Sequence, residues 1–341
     1  MNRVPASWHV TCKDTNYMKL DQRLILILAL FSAMTSKLQA EPLTLQLDLG
    51  VRNVQFAGIN WAQGHGWFTE AGLDLEVRSW TPEYSNVASE VANNPGTIGS
   101  IESGLFLSAI AEGKPLVAIG TMFQASPLGL ISRAESNIKT PADLRGKVVA
   151  IHSDGREALF TALAHADVNP SEVTIIKAEY GNEPLLRSEM DAKQGYVVDE
   201  FVKLQTEGHA VTMIPYREYG HVAYSQVMFV SQETLKSRRS DLVTFLSVAN
   251  RGWVTAAKDV PIAAQYTIDN YVPQLNFDYQ NQSLKMICEL VWAENKHTSA
   301  MSVETWIINA KSFRKTHPEE SLPAMEQWTD FSLALEAVDG R

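Results

Sequence analysis

The feature that most constrains this chain is an alternation of strand-like and helix-like stretches that runs without a flexible linker from residue 43 to 231, then gives way to helix. Segments 43–49 and 73–80 read as strands with a helix over 54–64 between them. A helix over 84–94 ends at Asn94-Pro95-Gly96, a short strand covers 97–99, and a helix runs from 102 to 112. Strands at 115–123, 128–132, 147–151, 173–178, 195–198, 211–215 and 226–231 continue the pattern, with helices at 155–166 and 183–192. Alternation of this kind implies largely parallel sheets covered by helices. A chain of 341 residues is long for one core and suited to two. Lobes without a linker share strands, and "QASPLGLISR" (124–133) and "YGHVAYSQVMFV" (219–230) are the expected crossings. Residues 41–127 and 226–341 then form one lobe and 128–225 the other, with the helical tail packed on the first.

The first forty residues stand outside this pattern. "MKLDQRLILILALFSAMTSKLQA" (18–40) places Lys19 and Arg23 before the apolar run 24–34 and ends on Leu38-Gln39-Ala40, the layout of a secretory signal cleaved near Ala40. The run is too short for a bilayer, which needs about 20 residues. Met18 is the expected start, with 1–17 an upstream extension. The formal charge is −10, and loss of 1–40, with five basic and two acidic side chains, makes it about −13. That sign opposes nucleic acid and anionic lipid as partners. Of Cys12 and Cys288 only the second survives cleavage, so no internal disulfide is expected. Glu41 rather than a Cys stands directly after the cleavage site, so the expected product is a free periplasmic monomer.

Locally, "GHGWFTEAGLDLEV" (64–77) ends a helix, turns with Trp67 and Phe68, and begins a strand that alternates apolar and acidic residues. Thr140-Pro141-Ala142-Asp143 reads as a capped helix start, and Asp154-x-x-Glu157 as a capping box. His152-Ser153-Asp154 is no catalytic triad, because consecutive residues cannot relay a proton in line and no G-x-S-x-G elbow is present. No zinc spacing and no G-x-G-x-x-G occur, so neither metal nor dinucleotide cofactor is indicated.

Several ordered segments together resemble the NMT1/THI5-like and sulfonate-binding (SsuA-like) proteins of ABC importers: "AGINWAQGHGWFTEAGLDLEV", "EGKPLVAIGTMFQASPLGLI", "IKTPADLRGKVVAI", "HSDGREALFTALAHADVNPSEVTII", "GYVVDEF" and "YSQVMFVSQETLKSRRSDLVTFLSVANRGWVTAAKDVPIAA". The resemblance covers roughly 43–315. It implies an α/β, type II periplasmic-binding-protein fold, with two α/β lobes joined by two crossover strands and a small molecule held between them for an ABC permease. In such a fold Trp67 and Phe68 are remote from the carboxyl ends of the strands, where ligands bind. Both are therefore expected as core plugs.

The loops at those carboxyl ends offer Asp48, Arg52, Asn53, Ser100, Ser103, Gln124, Ser126, Ser153, Tyr180, Glu200 and Tyr224 as ligand-binding candidates. Helices starting after these loops point N–H groups into the gap, suiting a sulfonate, phosphate, carboxylate or heterocycle carbonyl. The serines serve either as donors or as plain helix caps. Asn53 matches the Asn of the Pro-Asn that pyrimidine-binding relatives carry, while Arg52 replaces the Pro and no His follows. Arg52 either pairs with an anion or is a solvated loop charge. Asp199-Glu200 resembles the family's Asn-Glu pair, so Glu200 either accepts from an aminopyrimidine or merely opens a helix. Tyr180 and Tyr224 have rings able to stack on a planar ligand. The expected function is periplasmic binding of a small solute, a thiamine-precursor-like pyrimidine or related heterocycle being favoured over an alkanesulfonate, taurine or nitrate. A ligand-sensing module for a membrane signalling partner is the second class. An enzyme of pyrimidine synthesis is the third, opposed by the single mature Cys where the yeast enzymes of the superfamily carry a cysteine-rich motif.

Overall fold

The computed structural model describes residues 41–84, 86–179, 181–293 and 298–339; the expected signal segment lies outside them. Ten strands build two five-stranded sheets. The first holds β1 (Leu43–Leu47), β2 (Leu75–Arg78), β3 (Thr97–Ile101), β4 (Leu116–Phe123) and β10 (Ser225–Ser231), in the order β2-β1-β3-β10-β4. The second holds β5 (Leu128–Arg133), β6 (Val148–Ile151), β7 (Thr174–Lys177), β8 (Ala192–Tyr196) and β9 (Val211–Pro215), in the order β7-β6-β8-β5-β9. Within each sheet the strands joined through helices pair in parallel, β1 with β2 and β3, and β6 with β7 and β8. The strands entered from the other sheet, β10 and β5, run antiparallel to their neighbours. These are the two crossings: residues 124–127 connect β4 to β5, and 220–224 lead into β10.

Burial explains why the strands read as they do. β3, β4 and β10 are buried at every position, as strands covered on both faces must be. Helix Ala57–Gly64 lies against the long helix Arg239–Ala256, close enough at Gly58 and Gly252 that a Cβ at Gly58 would enter the Trp253 ring. Helix Ser332–Asp339 packs on Arg239–Ala256 in turn, and Val260–Tyr271 on Phe277–Val291, so the tail does return to the first sheet. Two tail helices also touch the second lobe: Phe277–Val291 meets the segment 197–206, and Val303–Thr316 meets Arg156–His165.

Some local expectations need correction. The helix expected over 84–94 is Val87–Asn93, because the Asn86 side chain accepts from Ser89 N at 2.9 Å and caps it there. Phe68 is a core plug, 5.8 Å from Phe245 in stacked geometry. Trp67 is only half-buried, with the Arg251 guanidinium 3.7 Å above its ring. Thr140 and Asp143 do form a capping box. Asp154 and Glu157 do not: a short helical turn, Ser153–Gly155, comes first, and Asp154 turns to accept from Gln194 instead. The strand expected at 195–198 is β8, which ends at Tyr196 and runs into a π-helical turn, Val197–Phe201.

Candidate functional site

Three carboxylates stand at carboxyl ends of strands where the two sheets approach each other. Asp48 follows β1, Glu102 follows β3, and Asp154 lies in the turn after β6. Glu102 is 4% exposed, and three separate stretches bring hydroxyls to it. Ser126 on the first crossing donates at 3.4 Å, Tyr196 at the end of β8 at 2.7 Å, and Ser225 at the start of β10 also donates. One carboxyl group thus ties both crossings and the second sheet to the first. Burial pushes its pKa up to about 8 against the hydroxyl hydrogen bonds that lower it, and the charges of Asp154 and Asp48 push it further.

Asp48 accepts from Gln226 Nε2 at 3.3 Å, and Gln226 Oε1 accepts from Ser100 Oγ at 2.5 Å. Gln226 is wholly buried at φ 53°, in the left-handed region that a side chain other than glycine's enters at a cost. Desolvation in the gap raises the Asp48 carboxyl to about 7, with the Asp154 charge from the opposite lobe adding to it. On that opposite side, Asp154 Oδ1 accepts from Gln194 Nε2 at 3.0 Å, and Gln194 Oε1 accepts from His152 N at 3.0 Å. No ion pair among the described residues includes Asp48, Glu102 or Asp154. The gap is therefore a site of hydroxyls, amides and carboxyl groups that take part in no ion pair among the described residues.

A second set of contacts joins the lobes at the π-helical turn. Asp199 accepts from Gln55 Nε2 at 2.9 Å and from the Tyr279 hydroxyl, both of the first lobe. Burial, then the neighbouring charge of Glu200, raises Asp199 to about 6. Burial, then the charge and hydrogen bond of Asp199, pushes the Tyr279 hydroxyl well above its ordinary range. At the remaining edge, the Thr161 and Ser312 hydroxyls lie 3.2 Å apart across the two lobes.

Of the candidates from sequence, Asp48, Ser100 and Ser126 enter the network around the carboxylates, and Ser103 follows Glu102 with its hydroxyl buried and unpartnered. Ser153 opens the turn that carries Asp154, and Tyr180 lies outside the described residues. The others have different work. Arg52 donates to Asn60 Oδ1 at 2.8 Å and sits 4.1 Å over the Tyr271 ring, both within the first lobe, while its Nη2 is buried without a hydrogen-bond partner. Asn53 is 2% exposed and caps the turn Val54–Phe56 by accepting from Gln55 N. Gln124 donates to Ala300 O at 3.0 Å and lines a hinge-side cavity with Arg217, His221 and Glu289. Glu200 accepts from Tyr196 N at 2.8 Å, folding back on its own lobe. Tyr224 is wholly buried: its hydroxyl accepts from Ser302 N at 2.7 Å and its ring meets Trp306 edge-on. A ring so enclosed has no face left for a ligand, so the stacking expectation for Tyr224 is withdrawn.

Sequence reasoning missed Glu102, Tyr196, Gln226 and the turned Asp154. Glu102 lay between two serines that were singled out, in "GSIES". The missing signal was pairing, since only the crossings bring Ser126, Ser225 and Tyr196 to it.

Comparison with known proteins places this geometry. The profile described as NMT1/THI5 like matches residues 53–261. The chain belongs to the NMT1/THI5-like family. A Haemophilus influenzae protein named for thiamine biosynthesis is 26% identical over 200 residues, covering 57% of this chain and 62% of its own. The riboflavin-binding protein RibY of Chloroflexus aurantiacus is 24% identical, covering 62% and 63%. The chain thus spans less than two thirds of the length of these two relatives. The formylaminopyrimidine-binding protein of Halalkalibacterium halodurans is 22% identical, covering 71% and 76%. Among solved structures, the periplasmic aliphatic sulphonate binding protein SsuA of Escherichia coli superposes with a TM-score of 0.66 at 14% identity, over 84% of this chain and 91% of that one. The desulfurization enzyme DszB does so at 0.60 and 14%, over 87% and 99%. Likeness at this identity establishes the two-lobed periplasmic-binding-protein fold; the NMT1/THI5-like relatives bear on the ligand through their own names alone.

Proposed function

We propose that this NMT1/THI5-like protein is the periplasmic solute-binding component of an ABC importer, and that it takes a nitrogen heterocycle of the thiamine-precursor type. The observation that carries the reading is the acidic character of the gap: carboxyl groups of both lobes stand at it and no ion pair among the described residues includes them, while Arg52 lies on Asn60 and Tyr271 within the first lobe. A sulfonate or nitrate brought there meets acidic groups and no donated cation, whereas the N–H edge of an aminopyrimidine meets acceptors. The names of the pyrimidine and riboflavin relatives support the same class. Relatives named as binding proteins favour capture over turnover. Ligand closes the lobes through its greater affinity for the closed form, and the permease takes the closed form up. Asp48, Ser100, Glu102, Ser126, Asp154 and Gln226 are the proposed ligand-facing set.

Thermal shift against pyrimidines, flavins, alkanesulfonates and nitrate tests the reading. A heterocycle at a hundredfold excess over its Kd is expected to add about 2.7 kcal/mol of stability. A shift with a sulfonate or nitrate and none with any heterocycle would overturn it.

A further inference from the structure

The two crossings that join the lobes also line the hinge-side cavity. Gln124 and Ala125 of the first crossing form its wall together with His221, Val222 and Ala223 of the second. The second lobe adds Arg217, in the turn after β9, and the first lobe adds Glu289 and Ala293, at the end of helix Phe277–Val291. The wall of the first lobe is anchored, since Gln124 N donates to Leu290 O at 2.9 Å and its side-chain amide to Ala300 O at 3.0 Å. The cavity measures about 320 Å³, at the lower end of the roughly 300–1,000 Å³ of small-molecule sites. It shares no residue with the set assigned to the gap.

Two opposite charges line this cavity and neither has a partner. Among the described residues, the Arg217 guanidinium and the Glu289 carboxylate make no side-chain hydrogen bond and no ion pair, not even with each other. His221, 7% exposed, carries a buried Nδ1 without a hydrogen-bond partner, an uncommon state for a polar atom in a folded chain. Burial lowers its pKa to about 4, so at neutral pH the ring adds no charge. The rest of the wall, Ala125, Val222, Ala223 and Ala293, is aliphatic.

We propose that this cavity binds a small aliphatic zwitterion, an amino acid whose carboxylate pairs with Arg217 of one lobe, whose ammonium pairs with Glu289 of the other, and whose hydrocarbon part covers the alanine and valine wall. A guanidinium takes a carboxylate through two parallel hydrogen bonds, and an ammonium donates to a carboxylate, so both ends are charge-assisted. A lone anion meets one attraction at Arg217 and one repulsion at Glu289, and a lone cation meets the reverse. Only a molecule carrying both charges satisfies both walls. Because those walls belong to different lobes, the bound zwitterion bridges the lobes at the crossings themselves. This second site goes beyond the heterocycle reading of the gap and does not depend on it.

The test is a ligand-observed NMR titration of the full chain at neutral pH. L-valine and 4-aminobutanoate supply two spacings of the charges, and isovalerate and isobutylamine keep one charge each. At least one zwitterion is expected to saturate, about tenfold or more tightly than either single-charge compound. Arg217→Gln and Glu289→Gln lie at exposed positions, where substitution leaves the fold intact. Each should weaken that zwitterion about tenfold or more. No saturation by either zwitterion, equal binding of a single-charge compound, or an unchanged affinity in either variant would overturn the proposal.

Discussion

Glu102 shows what one side chain can do to the whole. Its folded pKa, about 8, lies above the ordinary glutamate range, so the sign is settled: its contribution to stability is present in full at low pH and is lost as pH rises through about 8. Urea unfolding between pH 4.5 and 8.5 should therefore show stability falling, by on the order of a few kcal/mol from this group. Glu102→Gln should flatten that slope, and an unchanged slope would remove Glu102 as its source. Arg52 makes a contrasting case at the same scale. Its guanidinium lies over Tyr271 and is held by Asn60, so Arg52→Ala is expected to cost about 1 kcal/mol in urea unfolding. Its ligand affinity should stay at the wild-type value; a loss of affinity would return Arg52 to the site. "VRNVQF" carries no trace of this distinction, because Tyr271 is more than two hundred positions away in the chain.

The elements were legible wherever the pattern was local. Strands buried on both faces, the Thr140 capping box and the helical tail follow from periodicity and capping chemistry alone. The failures came where a side chain had a distant competitor. Asp154 abandons its local cap for Gln194, and Glu157 is buried against the tail helix Val303–Thr316, its pKa raised by burial and lowered by Ser312. The helix pair at Gly58 and Gly252 provides a test at this scale. An alanine normally favours a helix by about 1 kcal/mol over glycine. Here the added methyl at Gly252 would run into the Gly58 carbonyl, and overpacking of that kind costs about 1–3 kcal/mol. Gly252→Ala should therefore lower the melting temperature rather than raise it. The exposed Gly113, with nothing near a Cβ, is a control that probes its left-handed backbone alone.

At the scale of the molecule, three contacts draw the lobes together: Tyr196 to Glu102, Tyr279 and Gln55 to Asp199, and Thr161 to Ser312. They sit around the gap, so these bonds favour the closed arrangement. Tyr279→Phe removes one bond to an acidic group without changing shape, a loss of about 1.5–3 kcal/mol where the partner is charged. Small-angle scattering of the ligand-free variant should show a larger radius of gyration than the wild type. An unchanged radius would mean that Asp199 fastens nothing between the lobes.

By itself the sequence determined the class of fold, the two places where the chain crosses, and the loops that carry polar groups to the strand ends, because periodicity, capping and the βα alternation are properties of neighbours. Even the acidic residues of the gap stood in those loops. Which of them would face one another was decided only in the folded molecule. Pairing of Glu102 with Tyr196 and Ser225, the diversion of Arg52 to Tyr271 and the enclosure of Tyr224 all join residues far apart in the chain. A charge acquires its meaning from burial and partners, and both are set by the packing of one lobe against the other.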